Sequence, residues 1–197
     1  MQLYTELQVC SYYSFLRGAS SPEELVLKAK ELGHQAIALT DYNSLSGVVR
    51  AHKIAKKIGI QFIPATCFQV KDCPTILCYP INRIAYGKIT KLLSIGKRRT
   101  NKGECEIFLN DIIQELNLQN SNDQVMIIPI ENIITQSFQS FVHTLTKLIK
   151  KNLYLSVSYE YSSFDQSKLE FGKQISKETR VPLIATNNVH AHQHSRR

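Results

Sequence analysis

Short β-rich runs alternate with amphipathic helical patterns along nearly the whole chain, and this alternation constrains the fold more than any other feature. The clearest unit is "SPEELVLKAKELGHQAIALTD", residues 21–41. Ser21 is placed to cap a helix, Pro22 sits where a missing N–H costs nothing, Glu24 completes a capping box and Gly33 permits a left-handed stop. Leu25, Ala29 and Leu32 share one helical face, and "QAIALT" reads as a buried strand ending at Asp41. A second helix is expected from about Ser44 to Lys57, closed by Gly59. Further strands are expected at "LYTELQV", 61–65, 74–80, "QVMIIPI", "NLYLSVS" and "VPLIAT". Further helices are expected at 83–95, "LNDIIQEL", "SFQSFVHTLTKLIKK" and "FDQSKLEFGKQISKETR". Strands separated by helices of this length predict an α/β fold with a mostly parallel sheet.

Composition narrows the function classes. With 43% hydrophobic residues, nine tyrosines and eight phenylalanines, the chain can offset its ordering entropy and is not globally disordered. No apolar run approaches the roughly 18 to 20 residues that cross a bilayer, and "MQLYTELQVC" lacks a basic n-region and an apolar h-region, so a cytoplasmic location is expected and no membrane partner. Cys10, Cys67, Cys73, Cys78 and Cys105 are odd in number and form no CxxC, which favours reduced thiols. A net charge of +8 favours a polyanionic partner such as nucleic acid. The sequence has no GxGxxG, Walker A, HExxH or GxSxG motif, so nucleotide-binding, protease and hydrolase readings lack their local chemistry.

In βα architectures functional groups gather at the C-terminal ends of strands. Here those positions hold Gln8, Cys10, Asp41, Tyr42, Cys67, Ser156, Ser158, Asn188 and His190. Asp41 has a competing structural role as cap of the helix near Ser44. His190, His192 and His194 form the run "HAHQH", whose plainer reading is an exposed, mobile chain end. In "GKRRTNKG", Lys97, Arg98, Arg99 and Lys102 lie close together after a helix whose outer face adds Lys88 and Lys91, a candidate nucleic-acid contact. A solvated surface explains this segment equally well, and no aromatic residue interleaves it for base stacking.

The ordered set "ELQVCSYYSFLRGASSPEELVLKAKELGHQAIALTDYNSLSGVVRAH", "LCYPINRIAYGKITKLLSIGKRRTNKGEC" and "VPLIATNNVHAH" resembles the PHP (polymerase and histidinol phosphatase) domain of bacterial C-family DNA polymerases, the replicative α subunit and especially its error-prone relative. The resemblance covers nearly the whole chain, although residues 106–152 match only in rhythm. It implies a distorted (β/α)7 PHP-type barrel over residues 1–190, and a short tail, 191–197, where the polymerase region begins in that family. It also implies that palm, thumb and finger domains lie outside this chain, which is then expected not to polymerise DNA by itself.

Active members of the resembled family bind divalent metals through His, Asp and Glu at the barrel mouth. Such donors fix the ions and lower the pKa of a bridging water. Carried over by position, the first HxH is Gln8 and Cys10, and the His expected beside Asp41 is Tyr42. The Glu after the third strand falls at Cys67, a further His falls near Thr75, the His near "SVSYE" is absent, and the final Asp-x-His is Asn188 and His190. Only Asp41 and His190 are retained, and one carboxylate does not offset the repulsion among two or three divalent ions. The expectation is therefore a degenerate site with no catalytic residue and no cofactor. The remaining metal alternative is a single zinc held by Cys10, Cys67, Asp41 and His190. Three functions follow: a non-catalytic PHP domain of an error-prone polymerase, partnered by DNA or by other replication and repair proteins; a metal-dependent phosphoesterase with an altered Cys/Asp/His site; and a basic DNA-contact module.

Overall fold

The computed structural model describes residues 4–131 and 136–196. The chain divides into two compact units, Met1–Cys67 with Thr186–Arg197, and Phe68–Ala185.

In the first unit β1 (Thr5–Glu6), β2 (Ala36–Leu39) and β3 (Gln61–Pro64) form a parallel sheet in that order, with Glu6 opposite Ile37 and Ile37 opposite Phe62. Two helices connect them, α1 (Pro22–Glu31) and α2 (Val48–Ile58). The α1 start is as the sequence predicts: Ser21 accepts from the Glu24 N–H at 3.2 Å and the Glu24 carboxylate accepts from the Ser21 N–H at 2.8 Å. Such a box is worth about 1 kcal/mol. Leu25, Val26 and Ala29 from α1 and Ala51 and Ala55 from α2 bury against Ile37 and Leu39, so the helical and strand periodicities meet in one core. The first strand is shorter than "LYTELQV" suggests. The buried Glu6 carboxylate accepts the Gln8 N–H at 3.1 Å and takes that donor from the ladder. The chain regains the sheet direction at Val9, which bridges Val189 in parallel.

The second unit carries β5 (Ile76–Pro80), α3 (Arg83–Arg98), α4 (Leu109–Glu115), β6 (Gln124–Pro129), α5 (Gln136–Leu148), β7 (Leu153–Ser158) and α6 (Asp165–Thr179). Its sheet runs β4-β5-β6-β7-β8, with the end strands β4 (Thr66–Phe68) and β8 (Leu183–Thr186) reaching the boundary of the unit. β6 and β7 are parallel, but β5 and β6 are antiparallel, a departure from a uniformly parallel sheet. Two helices rather than one separate β5 from β6, and the chain therefore enters β6 from the opposite end. Ile76, Leu77, Ile89, Leu92, Met126, Ile128, Leu145 and Leu155 are buried from this unit's strands and helices. α3 is capped by Asn82, whose side chain accepts the Ala85 N–H at 2.8 Å, and it runs through Lys97 and Arg98. None of the described helices is long and apolar enough to cross a membrane.

Candidate functional site

The strand-end positions of the first unit centre on Asp41. Its carboxylate is 1% exposed and accepts three hydrogen bonds: Ser11 N–H at 2.8 Å, Ser11 Oγ at 2.8 Å and Ser14 Oγ at 2.7 Å. The hydroxyl directions follow from their other contacts. Ser11 Oγ accepts the Tyr13 N–H at 3.2 Å and Ser14 Oγ accepts the Tyr42 N–H at 3.0 Å, so each turns its own hydrogen to Asp41. Burial pushes the Asp41 pKa up, and the Ser14 and Ser11 hydrogen bonds recover only part of that cost. Asp41 does not cap α2. The cap position is Gly47, with no side-chain hydrogen bond, while the carboxylate fastens the loop after the first strand.

That loop is tightly constrained. A Cβ on Gly18 would lie 2.1 Å from the Ser11 carbonyl oxygen, so only glycine lets the two backbone segments approach. Arg17 stacks over the Tyr42 ring at 4.1 Å, and burial pushes the Tyr42 phenol up to about 12.

The other positions are occupied by neutral pairings. Gln8 donates from Nε2 to Asn188 Oδ1 at 3.0 Å and accepts from Thr186 Oγ1 at 2.9 Å. Two amides thus satisfy each other at positions where the family resemblance puts ligands. Cys10 is buried; its thiol faces the Ser11 carbonyl at 3.7 Å, and burial pushes its pKa up to about 11, which disfavours the thiolate. Cys67 is buried, and its backbone bridges to Tyr42. The His190 carbonyl accepts the Ala19 N–H at 2.8 Å, and the ring is half-buried. Thr75 belongs to the second unit and is half-buried just before β5. Among the described residues no three His, Cys, Asp or Glu side chains are grouped to hold a metal ion. The donor chemistry also fits a family metal cluster poorly, since the Asp41 carboxylate already accepts three hydrogen bonds and the other positions hold amides, a phenol and thiols, of which Cys10 has its pKa raised by burial.

Of the terminal histidines, His194 is exposed as the sequence suggests, whereas His190 and His192 are half-buried. His192 donates its N–H to the buried Ser20 Oγ at 2.9 Å, and its Nδ1 lies 2.8 Å from the same hydroxyl. Arg196 reaches Glu24 at 3.5 Å. A buried serine needs partners, and the chain end supplies them.

In the second unit, Arg99 is committed to Asp111: it forks onto that carboxylate, with Nη2 2.8 Å from Oδ1, and also donates to the Glu106 carbonyl at 3.4 Å. The Arg99 fork holds the Asp111 carboxyl below the usual range. Lys88 pairs with Asp123 and Lys91 with Glu115. Lys97, Arg98 and Lys102 are exposed and form no ion pair among the described residues. Ser156 is buried with no hydrogen-bond partner for its hydroxyl among the described residues, and Ser158 donates to Glu160 at 2.9 Å. Sequence reasoning missed the buried carboxylate Glu6, the serines that hold Asp41, and the buried Lys168, whose Nζ lies 3.3 Å from Asp165. The spacing of "SYYS" directly after a strand end was the available signal for the serines; Lys168 carried none, because lysine in an amphipathic helix reads as a solvent-facing residue.

Comparison with known proteins accords with this architecture. An error-prone DNA polymerase from Caulobacter vibrioides is 36% identical over 196 residues, covering 99% of this chain and 18% of the relative. One from Rhodopirellula baltica is 34% identical over 194 residues, with 96% and 17% covered. The chain therefore spans about 18% of the length of such a relative. Among solved structures, an amidohydrolase from Chromobacterium violaceum superposes with a TM-score of 0.72 at 13% identity, covering 95% of this chain and 87% of that one. The lesion-specific endonuclease Q from Pyrococcus furiosus gives 0.61 at 15% identity, with 98% and 50% covered. At these identities the likeness establishes the fold, a distorted (β/α) barrel of PHP and amidohydrolase type. The PHP domain family matches residues 6–187, and the chain belongs to it.

Proposed function

We propose that this chain is a non-catalytic PHP domain of an error-prone-polymerase type of replication or repair protein, in which the former metal positions serve as internal structure. The observation that carries the reading is the buried Asp41 carboxylate, whose Oδ1 accepts from Ser11 N–H and Ser14 Oγ and whose Oδ2 accepts from Ser11 Oγ, so that three of its four acceptor sites are used inside the protein. A carboxylate that bridges or chelates metal ions uses both oxygens, and freeing Oδ1 for that would strip donors from a buried loop. The Gln8–Asn188 amide pair supports the same reading. The relatives named as error-prone DNA polymerases supply the biological setting.

Elemental mass spectrometry of protein purified without chelators or a metal-binding tag tests this directly. No stoichiometric zinc, manganese or iron is expected, and no phosphodiester hydrolysis with added divalent ions. About one zinc per chain, lost in both Cys10→Ser and His190→Ala, would replace this reading with a single soft-metal site on Cys10, Cys67, Asp41 and His190. A second reading, DNA contact through Lys97, Arg98 and Lys102, is favoured by their exposure without acidic partners. Arg99 contributes less to it, because Asp111 already holds the guanidinium. Salt-dependent oligonucleotide binding that is unchanged when Lys97, Arg98 and Lys102 become alanine would remove this second reading.

A further inference from the structure

A cleft of about 470 Å³ opens in the second unit where α5 runs into β7 and α6 runs into β8. It lies at the N-terminal end of β7, whereas Ser156 and Ser158 occupy the other end of that strand. Lys150, Lys151 and Arg180 line it together with Asn152, Tyr154 and Thr179, and no Asp or Glu is among its lining residues. The three cations are exposed, and none forms an ion pair among the described residues.

Helix C-termini attract cations in their own right, so the charge balance decides whether anything is left for a ligand. Two helix ends present roughly one negative charge in sum, at about half a charge each. Lys147 and Lys177, in the last turns of α5 and α6, already answer it. Lys150, Lys151 and Arg180 are then in excess, in a concave site without carboxylates. The backbone adds a second observation. Arg180 ends α6 in the left-handed conformation at φ 60, and Asn152 enters β7 at φ 66. Glycine takes the position after a helix at less cost, so an arginine there is understandable when its guanidinium is used.

We propose that this cleft is a phosphate-binding site, with Arg180 supplying a planar fork for two phosphate oxygens and Lys150 and Lys151 supplying point charges. The inference is independent of the metal-site reading and of the Lys97–Lys102 segment. The same chemistry serves a nucleic-acid backbone or a free phosphate compound, and the probes separate the two.

The test measures acylation of the Lys150 and Lys151 amines in the intact wild-type chain by peptide mass spectrometry, with pyrophosphate or with a short single-stranded oligonucleotide. In parallel, oligonucleotide affinity is followed against salt in wild type and in Lys150→Gln/Lys151→Gln/Arg180→Gln. Protection by both probes is expected, and the triple variant should lower the log–log salt slope by about 2. Protection by pyrophosphate alone supports the site and assigns it to free phosphate compounds. Absence of protection by either probe overturns the proposal, and because that result needs no variant it does not depend on how the variant folds. A salt slope that falls only when Lys97, Arg98 and Lys102 are changed, with Lys150 and Lys151 unprotected, also overturns it.

Discussion

Asp41, at the end of a strand, and Asp165, the first residue of α6, are both buried aspartates, one in each unit, and their surroundings differ in kind. Asp41 receives only neutral donors, from Ser11 and Ser14. Asp165 accepts from the Glu160 N–H at 3.1 Å, the Ser162 N–H at 3.0 Å and Ser162 Oγ at 2.8 Å, and it also has the buried Lys168 ammonium 3.3 Å away. Burial raises both carboxyls. It prevails at Asp41, whereas at Asp165 the Ser162 hydrogen bonds and Lys168 outweigh it and hold the pKa below the usual range. A buried carboxylate can thus be kept by neutral hydrogen bonds, which fix a loop, or by a cation, which ties the pKa to an ion pair.

The largest expected effect is that of Asp41→Ala, which strands Ser11 N–H, Ser11 Oγ and Ser14 Oγ together. A loss of about 4 kcal/mol in urea unfolding is expected. A loss below 1 kcal/mol would mean that the loop is held by something other than Asp41. Next is Lys168→Met, which keeps the aliphatic stem and removes the charge. A loss of about 3 kcal/mol is expected, toward the lower end for a broken buried pair because the other acidic neighbour, Glu160 at 3.8 Å, is partly exposed. Near-neutral behaviour would show that hydrogen bonds from Ser162 are sufficient for Asp165.

The pH dependence separates the two sites by sign. The raised folded-state pKa of Asp41 makes its contribution complete below the unfolded value, near 3.9, and lost as pH rises through the folded pKa. The lowered pKa of Asp165 makes its contribution complete above that unfolded value and lost as pH falls through the folded pKa. Stability of Asp41→Asn and Asp165→Asn relative to wild type, followed by thermal unfolding from neutral pH into acid, should therefore move in opposite directions. As pH falls, wild type gains on Asp41→Asn and loses its advantage over Asp165→Asn. Parallel curves would erase the distinction.

The smallest effects compare two serines. Ser14→Ala should cost about 1.5 kcal/mol, because the hydroxyl links the Tyr42 N–H to Asp41. Ser156→Ala, whose buried hydroxyl has no partner among the described residues, should change stability by no more than about 0.5 kcal/mol in denaturant titration. Equal costs would show that Ser156 has a role the present geometry does not express.

Most of the element order was legible from local pattern. The Ser21–Glu24 cap, the Gly33 and Gly59 stops and the alternating apolar runs each act within a few residues, so α1 and β2 appear where the periodicity predicts them and α2 ends at Gly59 as expected, although it begins at Val48 rather than near Ser44. The antiparallel pairing of β5 with β6 was not legible, because periodicity reports which faces are apolar but carries no strand direction. At the candidate site, the sequence showed an amide, a phenol and an amide at Gln8, Tyr42 and Asn188, where the family resemblance implies ligands. The alternative of Asp41 as a helix cap was reasonable on spacing alone, yet the carboxylate turned to serines 27 and 30 positions away in the chain.

The sequence by itself determined the α1 cap, the Gly33 and Gly59 stops, the alternation of strands and helices and the residue types at the strand ends, since each depends on residue type and near-neighbour spacing. Only the tertiary structure decided what the remaining polar groups do. Asp41 binds Ser11 and Ser14, Gln8 pairs with Asn188, His192 meets Ser20 and Lys168 is buried beside Asp165. Buried polar atoms must find partners wherever packing brings donors and acceptors together, and that pairing is set by distance in space rather than by separation along the chain.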